Sequence, residues 1–410
     1  MPVKLRARNV FKLFNETKVD TLTRLKRGES KEEIFRATGA TVGINDVSFD
    51  VHEGEIFVIM GLSGSGKSTL VRTLNGLIAP TSGEIWVEED DVASCSAERL
   101  REVRRRKIAM VFQHFALFPH KSVADNVAFG LKVKGMRRAE RRAAALKALA
   151  QVGLEAHADS YPAQLSGGMQ QRVGLARGLA TGPEILLMDE PFGALDPLIR
   201  REMQDELVVL QKKLKKTIIF ITHDLNEALL LGDRIAIMKD GAFVQVGTAQ
   251  DIVADPADDY VRAFVADIDR SRVFSAADVA LEPASVPIDA TLSQALQAMK
   301  DVGSGAAHVL KEGAIAGIVT WRGISEAAPT QTVQDVMVID APVVDESALL
   351  HEMYDAAQTG LPVGVTDGDG TLVGVVPPEA IFAQLAPAAA GDPDAPPSIE
   401  DASSALPGTS

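Results

Sequence analysis

The sequence is poor in the features that mark secreted or membrane-spanning chains. Among 410 residues there is one cysteine, Cys95, so an intrachain disulfide is impossible and a reducing cytoplasm fits. No apolar run approaches the ~18 residues of a membrane span. The first six residues, Met1 to Arg6, lack the apolar stretch of a signal peptide. We therefore expect a soluble, intracellular protein.

Basic side chains are scarce in the last third of the chain. Residues 271–410 carry four basic and nineteen acidic side chains, whereas residues 1–270 are nearly neutral. This asymmetry predicts a domain boundary near residue 270 and argues against direct binding of nucleic acid or an anionic membrane by the acidic part. The neutral part also lacks the basic excess of a protein that binds a phosphate backbone. We expect no nucleic-acid partner.

A glycine-rich segment follows the short apolar run Ile56–Met60 and leads into a helical pattern. It has the G-x-x-x-x-G-K-S spacing of a P-loop, whose backbone N–H groups close around a polyphosphate at a helix N-terminus. Lys67 would reach the β- and γ-phosphates, and the Ser68 hydroxyl would bind Mg²⁺. The predicted nucleotide-binding residues are Gly61, Leu62, Ser63, Gly64, Ser65, Gly66, Lys67, Ser68 and Thr69.

Two further apolar segments end in side chains suited to nucleotide hydrolysis. The run 184–190 reads as a strand buried on both faces, as in a parallel sheet, and ends in Asp189 and Glu190. Parallel sheets bind ligands at the carboxyl edge of their strands. Asp189 suits a Mg²⁺-associated acid, and Glu190 suits a general base that polarises water. The strand Thr217–Thr222 is predicted to bring His223 to the same edge.

A serine and two glycines open another predicted helix. Ser166, Gly167 and Gly168 follow Leu165, and the helical pattern continues through Leu179. Such a start is either a second anion-binding surface or an ordinary N-cap.

The order of these motifs resembles that of the ATP-binding cassette (ABC) ATPases: P-loop, Gln113, the Leu-Ser-Gly-Gly segment, Asp189-Glu190, Asp196 and His223. The resemblance implies that Gln113 and His223 contact the catalytic Mg²⁺, the water and the γ-phosphate. It also implies that Asp196 lies at a dimer seam. The signature residues would bind the ATP held by the P-loop of a second subunit; they are Ser166, Gly167, Gly168 and Gln170.

The resemblance thereby implies the cofactors ATP and Mg²⁺, and two sets of site residues. The implied catalytic residues are Glu190, His223, Gln113 and Lys67. The implied metal ligands are Ser68, Gln113 and Asp189. An aromatic residue commonly stacks on adenine in this family, and Phe14 holds that place here, with Phe11 as the alternative. Glycine stands at position 193, where serine is common.

Several longer segments are similar to one subfamily, the ATPase subunits of bacterial uptake transporters for glycine betaine, proline and other quaternary amines. The segments are residues 53–60, 108–113, 171–177, 196–200, 232–238 and 259–262. The similarity implies a homodimer on the cytoplasmic face of the inner membrane, permease subunits as partners and an indirect link to a substrate-binding protein. Choline or another nutrient is an alternative cargo. A cassette ATPase not linked to transport is a further alternative.

The expected fold is α/β. Residues 1–270 would form the ABC ATPase domain, with a mainly parallel core sheet, an antiparallel subdomain, a helical subdomain and an insert at about 15–43. Within the insert, Ser30 and Glu33 resemble a capping box that opens a helix ended by Gly39. Residues 387–410, rich in Ala, Pro, Asp and Ser, are expected to be disordered.

Residues 275–386 repeat a strand, a helix, two strands and a helix, which resembles a tandem pair of cystathionine-β-synthase (CBS) domains. The copies would span about 280–327 and 333–386. CBS pairs often bind adenine nucleotides, but the ribose-contacting motif is incomplete here, with Gly323 in place of an aspartate after Thr320 and Pro377 in the second copy. The acidic charge of this part either docks weakly on a basic face until salt releases it, or only keeps the module soluble.

Overall fold

The computed structural model describes residues 1–15, 20–113, 116–193, 195–328 and 330–385, with the backbone alone for 383–385. The chain divides into two compact units, Met1–Val265 and Ala266–Ser410. Within the described ranges, no helix has the length and apolar character needed to cross a bilayer. The tail predicted at 387–410 and residues 16–19 of the insert lie outside the described residues.

The first unit contains ten strands and twelve α-helices among its described residues. The strands are β1 (Val3–Phe14), β2 (Thr41–His52), β3 (Ile56–Met60), β4 (Ser82–Val87), β5 (Asp90–Asp91), β6 (Ile108–Val111), β7 (Ile185–Asp189), β8 (Thr217–Thr222), β9 (Arg234–Lys239) and β10 (Ala242–Gly247). The helices are α1 (Thr21–Lys26), α2 (Lys31–Thr38), α3 (Lys67–Leu74), α4 (Ala97–Arg106), α5 (Val123–Val127), α6 (Phe129–Val133), α7 (Arg138–Gln151), α8 (Gly167–Ala180), α9 (Pro197–Leu214), α10 (Leu225–Leu231), α11 (Ala249–Ala254) and α12 (Asp259–Val265). Short 3₁₀ turns cover Glu155–His157 and Pro162–Gln164.

A six-stranded sheet in the order β10-β9-β3-β8-β7-β6 forms the centre of this unit. Strands β9, β3, β8, β7 and β6 are parallel, and only β10 runs antiparallel to its neighbour. Every residue of β3, β7 and β8 is buried, as expected for strands covered on both faces. The predicted α/β fold with a mainly parallel core is confirmed.

A second, antiparallel sheet in the order β2-β1-β4-β5 packs on the same core. Its inward residues, such as Leu5, Ile44 and Ile85, join Phe57 and Ile59 of β3 in one hydrophobic cluster. The rings of Phe49 and Phe57 stack at 5.0 Å between the sheets. Helices α5 to α8 pack on one another and form the helical subdomain.

The insert is shorter than predicted because the flanking strands are longer. The sequence predicted an insert at about 15–43. The pairing of β1 with β2 instead extends to Leu13 with Val42 and Phe14 with Thr41. The inward apolar side chains of Phe11, Leu13, Ala40 and Val42 make this extension favourable, since they form a separate buried cluster with Ile34 of α2.

The predicted capping box in the insert is confirmed. Ser30 is the N-cap of α2: its Oγ accepts from Glu33 N at 3.3 Å, and Glu33 Oε2 accepts from Ser30 N at 2.8 Å. Gly39 ends the helix with φ of 74°, a left-handed conformation that suits glycine.

The second unit contains two three-stranded sheets with the same pattern of pairing. Its elements are α13 (Ala276–Val279), β11 (Ser285–Pro287), α14 (Leu292–Asp301), β12 (Ala306–Lys311), β13 (Ala314–Thr320), α15 (Trp321–Ser325), α16 (Val333–Val336), β14 (Val343–Asp345), α17 (Tyr354–Ala357), β15 (Val363–Thr366), β16 (Leu372–Val376) and α18 (Pro378–Leu385), with 3₁₀ turns at Arg270–Arg272 and Leu350–Met353. In each sheet the first two strands are parallel and the last two antiparallel. The helix predicted in the second copy is a 3₁₀ turn continued by the short α17.

The two repeats meet at a buried histidine. His308 of β12 is 1% exposed, and a Cβ atom placed on Gly364 of β15 would lie 3.0 Å from its Nε2. Burial lowers the pKa of His308 to about 4, so the ring is neutral at physiological pH. The missing side chain at Gly364 therefore lets an uncharged imidazole fit between the repeats.

Candidate active site

The P-loop turns tightly between β3 and α3 and needs glycine at two close approaches. A Cβ atom on Gly61 would lie 2.2 Å from Met238 O, and one on Gly66 would lie 2.3 Å from Gly43 O. Both residues also have positive φ, at 153° and 108°. The backbone of the loop therefore keeps its N–H groups close together at the start of α3. The Oγ atom of Ser65 is buried there without a hydrogen-bond partner among the described residues.

The P-loop lysine lies inside its own loop. Lys67 is 5% exposed, and its Nζ donates to Gly61 O at 2.7 Å and to Leu62 O at 3.0 Å. Burial lowers the pKa of Lys67, while the nearby carboxylates of Glu190 and Asp189 act in the opposite direction. A polyphosphate in the loop would place negatively charged oxygens beside this ammonium, whose hydrogen bonds within the described residues go only to carbonyl oxygens.

A hydroxyl and a carboxylate meet beside the loop. Ser68 Oγ donates to Asp189 Oδ1 at 3.1 Å. Asp189 ends β7 and is 6% exposed, and this burial raises its pKa despite the hydrogen bond from Ser68. Arg72, on the same helix as Ser68, places a guanidinium nitrogen 3.9 Å from Asp189 Oδ2.

Glu190 is the centre of a three-residue cluster. Its Oε2 accepts from Gln113 Nε2 at 3.2 Å and lies 3.1 Å from His223 Nδ1. Glu190 has φ of 46°, a left-handed conformation that is uncommon for a glutamate, and its backbone N donates to Ile221 O. A strained residue held by hydrogen bonds at a sheet edge is typical of a catalytic position.

Neighbouring strands explain why these side chains meet. Gln113, Asp189 and His223 follow or end β6, β7 and β8, which are adjacent and parallel in the sheet, and β3 with the P-loop lies next to β8. Their carboxyl ends therefore bring four segments to one edge. The sequence predicted this for the segments that end in Glu190 and His223.

The signature residues form a separate surface on α8. Ser166 caps the helix, its Oγ accepting from Met169 N at 3.3 Å, and Gly167 is exposed at the first turn. Gln170 Nε2 donates to the carbonyls of Pro162 and Leu165, so its side chain supports the local turn. Within the described part of the chain, the hydrogen bonds of these side chains stay among residues 162–170, and none reaches the P-loop.

Asp196 caps the helix next to this surface. It is the N-cap of α9, and its Oδ1 accepts from Ile199 N at 3.1 Å. A Cβ atom on Gly168 would lie 2.5 Å from Ile199 Cγ2, so α8 and the start of α9 approach closely at this glycine.

The two candidate adenine-stacking rings occupy different environments. Phe11 is 3% exposed in the cluster beneath the insert, with Lys26 Nζ 5.2 Å from the ring centroid. Phe14 is partly exposed, and both its ring and Thr69 of the P-loop helix border Gly43. The geometry favours Phe14, because a buried ring cannot stack on a base.

Sequence reasoning gave no site role to Tyr260, although residues 259–262 are one of the segments similar to the subfamily. Its hydroxyl lies 3.5 Å from both the backbone N of Leu62 and the carbonyl O of Met238, next to the P-loop. The Lys239 ammonium lies 4.6 Å from the centroid of its ring. Arg72 was also missed, since only the fold brings it toward Asp189.

Comparison with known proteins identifies the families that the two parts of the chain match. Residues 44–193 match the family "ABC transporter", and residues 276–329 match the family "CBS domain". An ATP-binding cassette solved as a dimer in a post-hydrolysis state with ADP and Pi shares the fold, with a TM-score of 0.50 and 35% identity over 60% of this chain and 98% of that one.

Two curated relatives match nearly the whole chain. The glycine betaine transport ATP-binding protein of Bacillus subtilis is 46% identical over 94% of this chain and 93% of its own length. The glycine betaine/proline betaine transport ATP-binding protein of Escherichia coli is 50% identical over 92% of this chain and 96% of its own length. The chain therefore belongs to the family of ATP-binding subunits of glycine betaine/proline ABC transporters.

Proposed function

We propose that this chain hydrolyses ATP to drive the import of a quaternary amine osmoprotectant such as glycine betaine. The observation that carries the proposal is the placement of Glu190 Oε2 between Gln113 and His223, at the sheet edge that also holds the P-loop. The near full-length similarity to two glycine betaine transport subunits supports the cargo class.

The chemistry follows from the residues that surround Glu190. The carboxylate would accept a proton from the attacking water, with His223 and Gln113 holding its Oε2 in place. Lys67, freed from the Gly61 and Leu62 carbonyls, would bind the β- and γ-phosphates. Positioning and charge stabilisation account for most of the catalysis of phosphoryl transfer.

The residues beside the loop fit a magnesium ion. Mg²⁺ prefers oxygen ligands and commonly takes one or two carboxylates together with substrate phosphates. The hydroxyl of Ser68 and the carboxylate of Asp189 already meet at 3.1 Å, and the amide of Gln113 would complete the set. When bound, the ion would neutralise charge on the transferred phosphoryl group. Within the described ranges no cluster of three or more His, Cys, Asp or Glu residues forms an all-protein metal site.

We further propose that two copies of the chain act as a homodimer. The signature surface at Ser166, Gly167 and Gly168 is a helix N-terminus whose hydrogen bonds do not involve the P-loop of the same chain. Such a terminus binds anions and would complete the nucleotide site of a second copy. The dimeric form of the related cassette supports this arrangement.

The remaining partners follow from the proposed role. Permease subunits would carry the cargo through the membrane, a substrate-binding protein would deliver it, and this chain would lie on the cytoplasmic face of the inner membrane. The relatives are named as components of transport systems, which supports the assembly.

Stimulation of ATP hydrolysis by different cargoes tests the proposal. The chain would be reconstituted in proteoliposomes with its permease and binding protein, and phosphate release measured with glycine betaine, proline, choline or methionine. We expect stimulation by glycine betaine and weaker or no stimulation by methionine. Stimulation by choline alone would favour the alternative cargo, and ATP hydrolysis indifferent to the membrane components would favour a cassette not linked to transport.

A further inference from the structure

We propose that Arg200 is a positioning residue that transmits the position of the dimer seam to His223. The inference rests on the proposed function, because it assumes that two copies meet at Asp196. Here Leu195 and Asp196 are called the seam loop, and His223 and Asp224 the histidine loop.

Arg200 connects the two loops directly. It lies in the first turn of α9, which begins directly after the seam loop. One guanidinium nitrogen, Nη2, donates to Leu195 O at 3.3 Å, and the other, Nη1, lies 3.7 Å from Asp224 Oδ2. The side chain is 28% exposed, and its Nε is buried without a hydrogen-bond partner among the described residues. The guanidinium is therefore held by these two contacts at its outer nitrogens.

The carboxylate of Asp224 divides its oxygens between two tasks. Oδ1 caps α10 by accepting from the backbone N of Asn226 at 2.9 Å and of Glu227 at 3.4 Å. Oδ2 remains for Arg200. Asp224 is the residue after His223, so its contact with Arg200 restrains the backbone next to the imidazole, whose Nδ1 lies 3.1 Å from Glu190 Oε2.

A buried link one turn further along α9 gives this arrangement a fixed pivot. Gln204 Nε2 donates to Glu227 Oε1 at 3.0 Å, and Thr222 Oγ1 donates to Glu227 Oε2 at 2.6 Å. Glu227 is 5% exposed, and burial raises its pKa. Helices α9 and α10 are thus joined at Gln204, while Arg200 contacts the seam loop at the N-terminus of α9.

Through this arrangement, contact between the two copies at Asp196 would set the position of the catalytic residues in each copy. When a second copy docks on Asp196, the carbonyl of Leu195 takes a defined position, and Arg200 passes that position to Asp224. The imidazole of His223 is then set correctly against Glu190. Small displacements of a catalytic group suffice for such control, since an error of about 1 Å costs up to about a hundredfold in rate.

The test uses three variants of the full chain in the reconstituted transporter. Arg200→Met removes both contacts at similar volume, and Asp224→Asn removes the charge while asparagine still caps a helix well. Arg200→Lys keeps the charge, but its single ammonium cannot replace a two-pronged guanidinium. Arg201→Met is the matched control, because Arg201 is exposed on α9 and its side chain makes no hydrogen bond or ion pair with the described residues.

We expect a lower kcat with little change in KM for ATP. Arg200→Met should reduce kcat by about tenfold, since its effect is on positioning rather than on nucleotide binding. Asp224→Asn should give a similar loss, and the double variant no additional loss, because both changes break one path. Arg200→Lys should also lose rate, and Arg201→Met should match the wild type.

Two results would overturn the inference. One is a wild-type kcat for Arg200→Lys together with a wild-type kcat for Arg200→Met, with both variants folded. The other is losses for Arg200→Met and Asp224→Asn that multiply in the double variant. ATP-driven dimerisation, measured in variants that also carry Glu190→Gln, distinguishes failure of this inference from failure of the proposed function. If Glu190→Gln alone does not dimerise with ATP, the dimer proposal fails; if it dimerises and Arg200 variants keep full rate, only the role of Arg200 fails.

Discussion

Glu190 is the residue on which the chemistry depends most. Its carboxylate is held by Gln113 and His223. Its backbone has a left-handed conformation. We expect Glu190→Gln to retain ATP binding and to lose about 10²–10⁴-fold in turnover, the usual contribution of a general base. Steady-state phosphate release and equilibrium binding of a fluorescent ATP analogue measure the two properties separately.

Glu202→Gln is the matched control for that change. Glu202 is exposed on α9, and the substitution is chemically the same. Near-wild-type hydrolysis by Glu190→Gln, with Glu202→Gln also unaffected, would rule out Glu190 as the base.

The two phenylalanines near the insert should respond differently to truncation. Phe14→Ala removes a partly exposed ring beside the P-loop, so we expect weaker ATP binding, by about 1–3 kcal/mol, with little loss of stability. Phe11→Ala leaves a cavity in a buried cluster and should lower the free energy of unfolding by about 3–5 kcal/mol. Nucleotide titration and urea denaturation of both variants check the assignment, and the reverse pattern would make Phe11 the stacking residue.

The placement of the candidate site residues was predictable where it depends on neighbouring residues in the chain. The geometry of Gly61 to Thr69 could be predicted because the strand, the loop and the helix follow one another directly in the sequence. Glu190 and His223 were predictable because both follow buried parallel strands. Arg200 and Tyr260 were not, since their contacts with Asp224 and Leu62 join segments far apart in sequence. No periodicity records such contacts.

At the scale of elements, the start of α8 is proposed to act on the nucleotide of the partner copy. Gly168 is a poor place to test this, because a side chain there would clash with Ile199. Gly167 is better, since it is exposed and a Cβ would lie at an ordinary 3.6 Å from Leu195 Cδ2. Gly167→Asp places negative charge where phosphate would arrive, yet an acidic residue in the first turn suits the helix.

Mixing two inactive variants tests the trans arrangement. Lys67→Ala and Gly167→Asp should each be inactive alone. An equal mixture should recover about a quarter of wild-type ATPase activity, because half of randomly paired dimers contain one intact site of two. A mixture as inactive as its components would count against sharing of sites between chains.

A cluster of charges joins the hairpin β4–β5 to helix α4. Asp90 is 6% exposed and bonds Arg99 and Lys107. Arg99 first, and Lys107 after it, hold the pKa of Asp90 below its ordinary value, against the effect of burial. A depressed folded-state pKa contributes stability that is complete above the unfolded pKa of about 4 and is lost as the pH falls through the lower folded value.

We therefore expect Asp90→Asn to cost about 1–3 kcal/mol of stability at pH 7 and progressively less below about pH 4. Urea denaturation across this pH range, with the exposed Glu98→Gln as control, measures the difference. A cost that stays constant down to pH 2 would mean that the charge of Asp90 does not contribute.

Strand lengths were the weakest part of the element-level prediction. The start of β2 inside the predicted insert was missed because Phe11, Leu13, Ala40 and Val42 are buried in a cluster with Ile34 of the insert itself. The strand Ile56–Met60 and the strand Thr217–Thr222 were predicted to the residue, since continuous burial leaves no ambiguity.

At the scale of the whole molecule, the chain combines a neutral ATPase unit with an acidic unit built from two similar sheets. The second unit has no part in the proposed hydrolysis, and its repeats are fitted around the neutral His308. At this scale, the charge asymmetry and the family similarity were the two features of the sequence that predicted a division into two units. The sequence of the cassette does not specify the cargo, because in the proposed assembly this chain hydrolyses ATP and other subunits bind the cargo.

The central claim is that hydrolysis at Glu190 powers the uptake of a quaternary amine. Its most direct test is the accumulation of radiolabelled glycine betaine in proteoliposomes that contain the chain, its permease and its binding protein. We expect ATP-dependent accumulation with the wild type and with Glu202→Gln, and none with Glu190→Gln. Equal accumulation with Glu190→Gln, or none with the wild type under conditions where it hydrolyses ATP, would contradict the claim.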